Sequence, residues 1–312
     1  MNLHQPFTVP PPLAVATLVM TDGAQIRLRR YGKAGATRLV LSHGNGLAIN
    51  AYAPFWLPFT NDYDVVVFDM RNHGENPLHD EAHHGWESFY SDMEEIFHGI
   101  AAQFGQATTI GVFHSLSSLA ALSHAQRVAA AGLGKRWDAL CLFDPPMMAP
   151  KSHALRPAGE ADSEKMSSRA SRRTAVFDSP EDLATQFRRR ESFARWVPEG
   201  ADLFARHTLR QMADGRWTLC CPPAYEARVF KENKGPLFEG LPKVPVPLVI
   251  IAGDPTSPYA SPAAAVAKAA HEELGVEYAM VRDTTHFLQI EEPQACRDLL
   301  IDFLRRHGLD SK

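Results

Sequence analysis

Cysteine is scarce: the 312-residue chain has four, Cys141, Cys220, Cys221 and Cys296, and no C-x-x-C spacing. Adjacent Cys220 and Cys221 could close only a strained vicinal bridge, so reduced thiols in a reducing compartment are expected rather than a disulfide framework. An excess of charge of one sign is also missing. The formal net charge of -4 at pH 7 leaves no general attraction to nucleic acid or to an anionic membrane surface, and no nucleic acid is expected as a partner. No apolar run reaches the length that spans a bilayer and residues 1–12 hold no basic leader region, so a cytoplasmic protein with no membrane span is expected. No P-loop and no G-x-G-x-x-G follows a strand candidate, which leaves nucleotide chemistry without support. Repeats and low-complexity tracts are absent as well. The remaining composition, 45% hydrophobic and 22% charged, is that of a globular chain long enough for one large α/β domain, with or without an insertion.

Periodicity supplies the organisation. The chain opens on an arm, residues 1–13, that includes Pro10, Pro11 and Pro12. Alternating segments at 14–20 and 25–31 flank Thr21, Asp22, Gly23 and Ala24 and predict an antiparallel hairpin at a sheet edge. Short apolar runs follow at 38–42, 63–69, 108–112, 139–143, 246–251 and 276–280, most of them separated by helical spacing such as 86–104, 116–131, 260–274 and 293–307. Strands alternating with helices predict an α/β fold, a mostly parallel central sheet with helices on both faces and ligands at the carboxyl ends of its strands. The interval 147–243 holds no strand candidate of comparable strength, while helical spacing recurs over 180–196 and 201–212. It predicts an inserted helical cap over the strand ends, leaving 14–146 and 244–312 as the core. About half of the chain's 32 Lys and Arg residues fall in this interval, and the run Arg188, Arg189, Arg190 reads as a solvated helix face. Phe187, Phe193, Trp196, Phe204 and Trp217 read as cap core that supplies apolar walls to a pocket beneath.

Residues 108–122, TTIGVFHSLSSLAAL, run from a strand candidate straight into a helical one, so Ser115 sits where strand becomes helix. So tight a turn lifts the Ser115 side chain clear of the sheet and aims the first free N–H groups of the helix at whatever reacts with it. That is a nucleophile site. Gly111 to Ser118 resembles the nucleophile elbow of the α/β-hydrolase superfamily, written G-x-S-x-G, with Ser117 in one of the small positions. Phe113 occupies the position where the tight turn carries Gly, which predicts local strain or a widened elbow. The chain is similar over about 14–145 and 244–307 to the serine-hydrolase, esterase-like branch of that superfamily, whose members carry a helical cap.

Serine needs a base within hydrogen-bond reach and an acid that orients the base. The resemblance places the base at His286, in the stretch THFLQIEEP over 285–293, after the last strand candidate and ahead of the last helix. The superfamily pattern G-H-x-x-x-x-E-x-P is matched there in His286, Glu291 and Pro293 and departs in Thr285. For the acid the resemblance leaves two places. Asp144 ends the sixth strand candidate and Asp254 follows Gly253 after the seventh; the reading leans to Asp144 and retains Asp254. Without catalysis, Asp144 would be a strand-end cap before Pro145 and Asp254 an Asp-Pro turn former. Either acid would hold the imidazole with Nε2 free to take the hydroxyl proton.

Residues 39–47, LVLSHGNGL, resemble the superfamily's HG-x-G oxyanion loop and imply the Asn45 and Leu116 N–H groups as donors to a developing oxyanion. Asn45 also stands where haloalkane dehalogenases hold a halide, but those enzymes use an Asp nucleophile, so Ser115 argues against dehalogenation and epoxide opening. The stretch 65–74, VVVFDMRNHG, is similar to D-x-R-G-H-G with Asn72 in place of a Gly, and implies a structural role. His79, Asp80, His83 and His84 lie in a loop without metal-ligand spacing and read as solvated. Neither a metal nor an organic cofactor is expected.

These implications describe a serine hydrolase that cleaves the carboxylic ester of a small or medium apolar substrate through an acyl-enzyme. Its expected partner is a small-molecule apolar ester or related carbonyl compound. The same triad serves C–C hydrolysis beside a ketone and acyl transfer, and a non-catalytic ligand-binding homologue is the rival from a different class.

Overall fold

The strand candidates come together in one sheet. The computed structural model describes residues 7–232 and 235–310. Positions 1–6 of the expected arm lie outside the described residues, and 7–12 form no regular element. The strands are β1 Ala14–Val19, β2 Gln25–Gly32, β3 Arg38–Ser42, β4 Asp64–Phe68, β5 Thr109–His114, β6 Ala139–Phe143, β7 Val176–Phe177, β8 Leu209–Gln211, β9 Trp217–Leu219, β10 Leu248–Ala252 and β11 Glu277–Met280. Eight of them form the central sheet in the order β1-β2-β4-β3-β5-β6-β10-β11. The β1–β2 hairpin is antiparallel and β2 joins β4 antiparallel; every other pairing is parallel. Every residue of β3, β4, β5 and β6 is buried, as continuous apolar runs covered on both faces require.

The helices are α1 Ala53–Trp56, α2 Trp86–Phe104, α3 Leu116–Ala130, α4 Arg156–Ser171, α5 Pro180–Arg188, α6 Gly200–Thr208, α7 Pro223–Lys231, α8 Pro262–Leu274, α9 Leu288–Glu291 and α10 Pro293–Arg306. One face of the sheet packs α1, α9 and α10 through Phe55, Trp56, Ile290 and Phe303. The other packs α2, α3 and α8 through Phe89, Leu119 and Ala267. None of the described helices is long and apolar enough to cross a membrane. Buried Arg38 ties the start of β3 to the end of α2: its guanidinium bonds Asp64 at 2.9 Å and donates to the Phe104 and Gly105 carbonyls at 3.0 and 2.7 Å, satisfying helix-end acceptors that the core would otherwise strand.

Between β6 and β10 the chain departs from the expected pattern. It holds α4 to α7 and also a small antiparallel sheet in the order β7-β9-β8, where the sequence predicts helices alone. These strands are two or three residues long, too short to carry a period. The helix expected over 201–212 stops at Thr208 because the chain turns through Asp214 and Gly215 into the β8–β9 hairpin, with Met212 N–H donating to Arg216 O at 2.7 Å. The helix expected over 180–196 starts on a Ser179–Asp182 capping box and ends at Arg188. Helix α4 has no apolar stripe, burying only Ser167 and Ala170, and gives no periodic signal; it packs against α7.

Phe113 does not widen the turn after β5. Its ring lies in the core, edge-on to Trp137 at 5.3 Å and to Phe68 at 6.4 Å. Gly111, two residues earlier on the same face, makes the room: a Cβ there would meet Phe113 Cε2 at 2.5 Å and Leu140 Cδ2 at 2.7 Å. Substituting Gly111→Ala is therefore expected to overpack this layer and destabilise the fold by about 1–3 kcal/mol. Urea unfolding measures it, and an unchanged midpoint would contradict the packing described.

Candidate active site

The carboxyl ends of β5 and β6 and the loop after β11 bring Ser115, Asp144 and His286 together. Ser115 follows β5 and caps α3 with φ 52° and ψ −111°, a backbone conformation that costs a non-glycine residue about 1–3 kcal/mol and persists only where the surroundings enforce it. The enforcement is visible. The ladder continues past the strand, with Ser115 N–H donating to Phe143 O at 3.1 Å, and the first turn of α3 closes on Ser115 O through Leu119 N–H at 3.1 Å and Ser118 Oγ at 2.6 Å. Asp144 follows β6 in the same way, at φ 40° with its N–H on Ile251 O at 2.9 Å. Both residues are buried.

His286 lies between β11 and α9, its Nε2 2.9 Å from Ser115 Oγ and its Nδ1 2.5 Å from Asp144 Oδ2. A carboxylate accepts only, so the proton sits on Nδ1 and Nε2 offers its lone pair to the serine hydroxyl. Asp144 is completely buried, and it also accepts from Ser261 Oγ at 2.9 Å and Gly253 N–H at 3.2 Å. The His286 loop can reach the end of β10 because Gly253 has no side chain: a Cβ there would sit 2.4 Å from Thr285 O. Glu291 fixes the other side of that loop, accepting from Thr285 N–H and Oγ1, both at 2.6 Å. Burial pushes the Glu291 carboxyl up despite these two bonds.

Asp254 has no hydrogen bond to His286. Its carboxylate accepts from Thr256 N–H at 2.9 Å and Oγ1 at 2.6 Å and from Asp283 N–H at 3.1 Å, and its own N–H reaches Thr284 O at 3.1 Å. It braces the histidine loop from behind. His79, His83 and His84 do not share one environment either. His83 is at the surface while His84 is buried against Tyr225 and bonded to Asn72 at 3.0 Å, so the loop is not wholly solvated. Among the described residues no group of three His, Cys, Asp or Glu side chains is placed to hold a metal ion. All four cysteines are free and buried.

The loop after β3 lies against this centre. His43 O accepts from Ser117 N–H at 3.3 Å, Gly44 N–H reaches Tyr52 Oη at 3.3 Å, and Gly46 N–H donates to His73 Nε2 at 3.0 Å. Neither the Asn45 nor the Leu116 N–H has a protein partner among the described residues. Asn45 Nδ2 bonds Glu226 O in α7 at 2.9 Å, and Arg173 pairs with the Glu226 carboxylate at 2.6 Å. Across the site, Phe287 touches the His286 ring at 5.7 Å and meets Trp196 at 5.3 Å and Phe193 at 5.7 Å. The sequence singles out none of Ser261, Tyr52 and His114, while His73 falls in the stretch 65–74 read as structural. Ser261 and Tyr52 lie in no motif, whereas His114 adjoins Ser115.

The surrounding histidines are neutral. Burial holds His43, His73, His84 and His114 below the ordinary imidazole value, His84 at about 3. Each would gain a proton in the unfolded chain below about pH 6.5. Unfolding then takes up protons, so stability is expected to fall as pH drops from about 6.5 toward the folded values. Urea midpoints at pH 7, 6 and 5 test this; a midpoint that holds or rises on acidification would contradict it.

Comparison with known proteins agrees with this fold. The profile of the Alpha/beta hydrolase family matches residues 39–299. Comparison with curated protein sequences gives no match. Among solved structures the chain is similar to E-2-(acetamidomethylene)succinate hydrolase, with a TM-score of 0.75 at 14% identity over 94% of this chain and 99% of that one. It is similar to a malate-bound esterase from Thermogutta terrifontis, TM-score 0.65 and 16% identity over 94% and 98% of the two chains. An esterase from Rhodococcus aligns with a TM-score of 0.66 and 18% identity over 94% and 99%. With the profile spanning most of its length and the sheet order in place, this chain belongs to the Alpha/beta hydrolase family.

Proposed function

We propose that this protein is a serine hydrolase acting on carboxylic esters of small or medium apolar substrates. The observation that carries the reading is the unbroken hydrogen-bond chain from Ser115 Oγ through His286 to Asp144. Ser115 Oγ attacks the carbonyl carbon and gives its proton to His286 Nε2, while buried Asp144 stabilises the imidazolium. The negative charge passes to the carbonyl oxygen, which the Asn45 and Leu116 N–H groups receive; donors fixed before the reaction cost no reorganisation when the charge develops. The tetrahedral adduct collapses, the alcohol leaves with the proton from His286, and an acyl-Ser115 remains. Water, deprotonated by His286, attacks this acyl group and releases the acid in the same way.

The interval 147–243 acts in this reading as a cap. Phe193 and Trp196 extend the apolar wall begun by Phe287, and Glu226 anchors α7 to the loop that carries Asn45. Apolar walls beside an ester carbonyl favour apolar substituents. Two of the similar structures are esterases, which supports this reading.

Hydrolysis of p-nitrophenyl esters of graded acyl length tests the proposal. Ser115→Ala is expected to lower kcat on the order of 10⁴-fold or more, Asp144→Asn about 10²–10⁴-fold, and Asp254→Asn less than about tenfold, since it braces a loop rather than touching the imidazole. Turnover that survives Ser115→Ala would refute the mechanism. Labelling of Ser115 by a fluorophosphonate without turnover of any ester would favour the ligand-binding reading.

A further inference from the structure

We propose that Tyr52 and His114 are positioning residues that lock the oxyanion loop and the backbone of the catalytic histidine into one register. The inference rests on the ester-hydrolase reading for the roles of the two ends and on geometry for the link between them.

Four groups form one directed line. His114 Nε2 lies 2.8 Å from the main-chain oxygen of His286. A carbonyl only accepts, so Nε2 carries the hydrogen, and the neutral ring then offers a lone pair at Nδ1. Tyr52 Oη is 2.7 Å from that nitrogen and must donate to it. The hydroxyl's remaining lone pairs accept the Gly44 N–H at 3.3 Å. Donation therefore runs from Gly44 through Tyr52 and His114 to His286, across residues far apart in sequence. Burial keeps both middle groups in the required forms: it pushes the Tyr52 phenol up, so that it keeps its proton, and holds His114 well below the usual imidazole range.

The direction of the Asn45 N–H follows from this line and one further contact pair. Gly44 O accepts from His43 Nδ1 at 2.7 Å and Leu47 N–H at 3.2 Å. The Gly44–Asn45 peptide is trans, so its N–H points opposite to that fixed carbonyl. Gly44 N–H on Tyr52 pins the preceding peptide, and Gly46 N–H on His73 pins the following one. With its neighbours engaged, the Asn45 N–H is the donor left for a ligand. The other end of the line holds the His286 backbone, while the His114 and His286 rings lie with centroids 4.8 Å apart. The donor to the oxyanion and the base are thus set against each other through two side chains that make no hydrogen bond to Ser115 Oγ.

The full-length protein is compared with Tyr52→Phe, His114→Gln and the double variant. Tyr52→Phe removes one oxygen and keeps the ring in place. His114→Gln retains a donor for the His286 carbonyl and loses the acceptor facing Tyr52. For p-nitrophenyl ester hydrolysis, Tyr52→Phe is expected to lower kcat on the order of ten- to a hundred-fold and leave KM within about threefold. The double variant is expected to be little worse than the poorer single variant, because both break one line. Wild-type kcat in Tyr52→Phe, or losses that multiply in the double variant, would overturn the relay. Long-range proton–nitrogen NMR spectra of the histidine rings give a readout independent of turnover. His114 is expected to show a protonated Nε2 and a bare Nδ1, and Tyr52→Phe to shift the His286 ring as well as that of His114. A His114 protonated on Nδ1, or His286 signals unmoved by Tyr52→Phe, would overturn the relay. If wild type hydrolyses no ester while these spectra are as expected, the ester-hydrolase reading fails and the relay stands.

Discussion

The site depends on the parallel ladder running one residue past the ends of β5 and β6. Ser115 and Asp144 both have positive φ, which sterics penalise in any residue with a side chain. Each nevertheless keeps its N–H on the next strand, Ser115 on Phe143 O and Asp144 on Ile251 O. The bond fixes the backbone and the unusual φ turns the side chain out of the sheet. Ser115 and Asp144 thus stand on adjacent strands with their separation set by sheet geometry, and the His286 imidazole spans the gap. The buried packing of β3 to β6 supplies the stability that the two strained residues draw on.

Around this centre the protein uses neutral imidazoles as fixed hydrogen-bond adaptors. His43 donates from Nδ1 to Gly44 O and accepts the Met70 N–H at Nε2; His73 donates from Nδ1 to Arg71 O and accepts the Gly46 N–H. A neutral imidazole presents one donor and one acceptor on opposite sides, which suits a buried loop that must satisfy both kinds of backbone group. Protonation would turn each acceptor nitrogen toward another N–H. Burial makes that costly, so the same desolvation that keeps these rings neutral keeps the loop after β3 in one conformation.

Most of the fold was legible because the central strands are continuous apolar runs separated by amphipathic helices, a pattern with few architectural solutions. The placement of Ser115 was legible from a strand that becomes a helix with no residues to spare. The choice between Asp144 and Asp254 was not, since both follow strands at the same end of the sheet; which carboxylate meets the imidazole depends on three-dimensional reach and on the partners Thr256 and Asp283 that engage Asp254. The strain expected at Phe113 overlooked its neighbour two residues back, where Gly111 takes up the ring. Between β6 and β10, α4 has no apolar face and β7 has two residues, so periodicity had nothing to register. Tyr52 was illegible for another reason: its role lies in a contact with His114, 62 positions away.

In the proposed mechanism Ser115 itself carries the acyl group. Rapid quench of the protein with p-nitrophenyl acetate, followed by proteolysis and mass spectrometry, tests it most directly. A single acetyl group is expected on the peptide containing Ser115, formed within the first turnover. Ester turnover with no acylated peptide, or an acetyl group on a different residue, would contradict it.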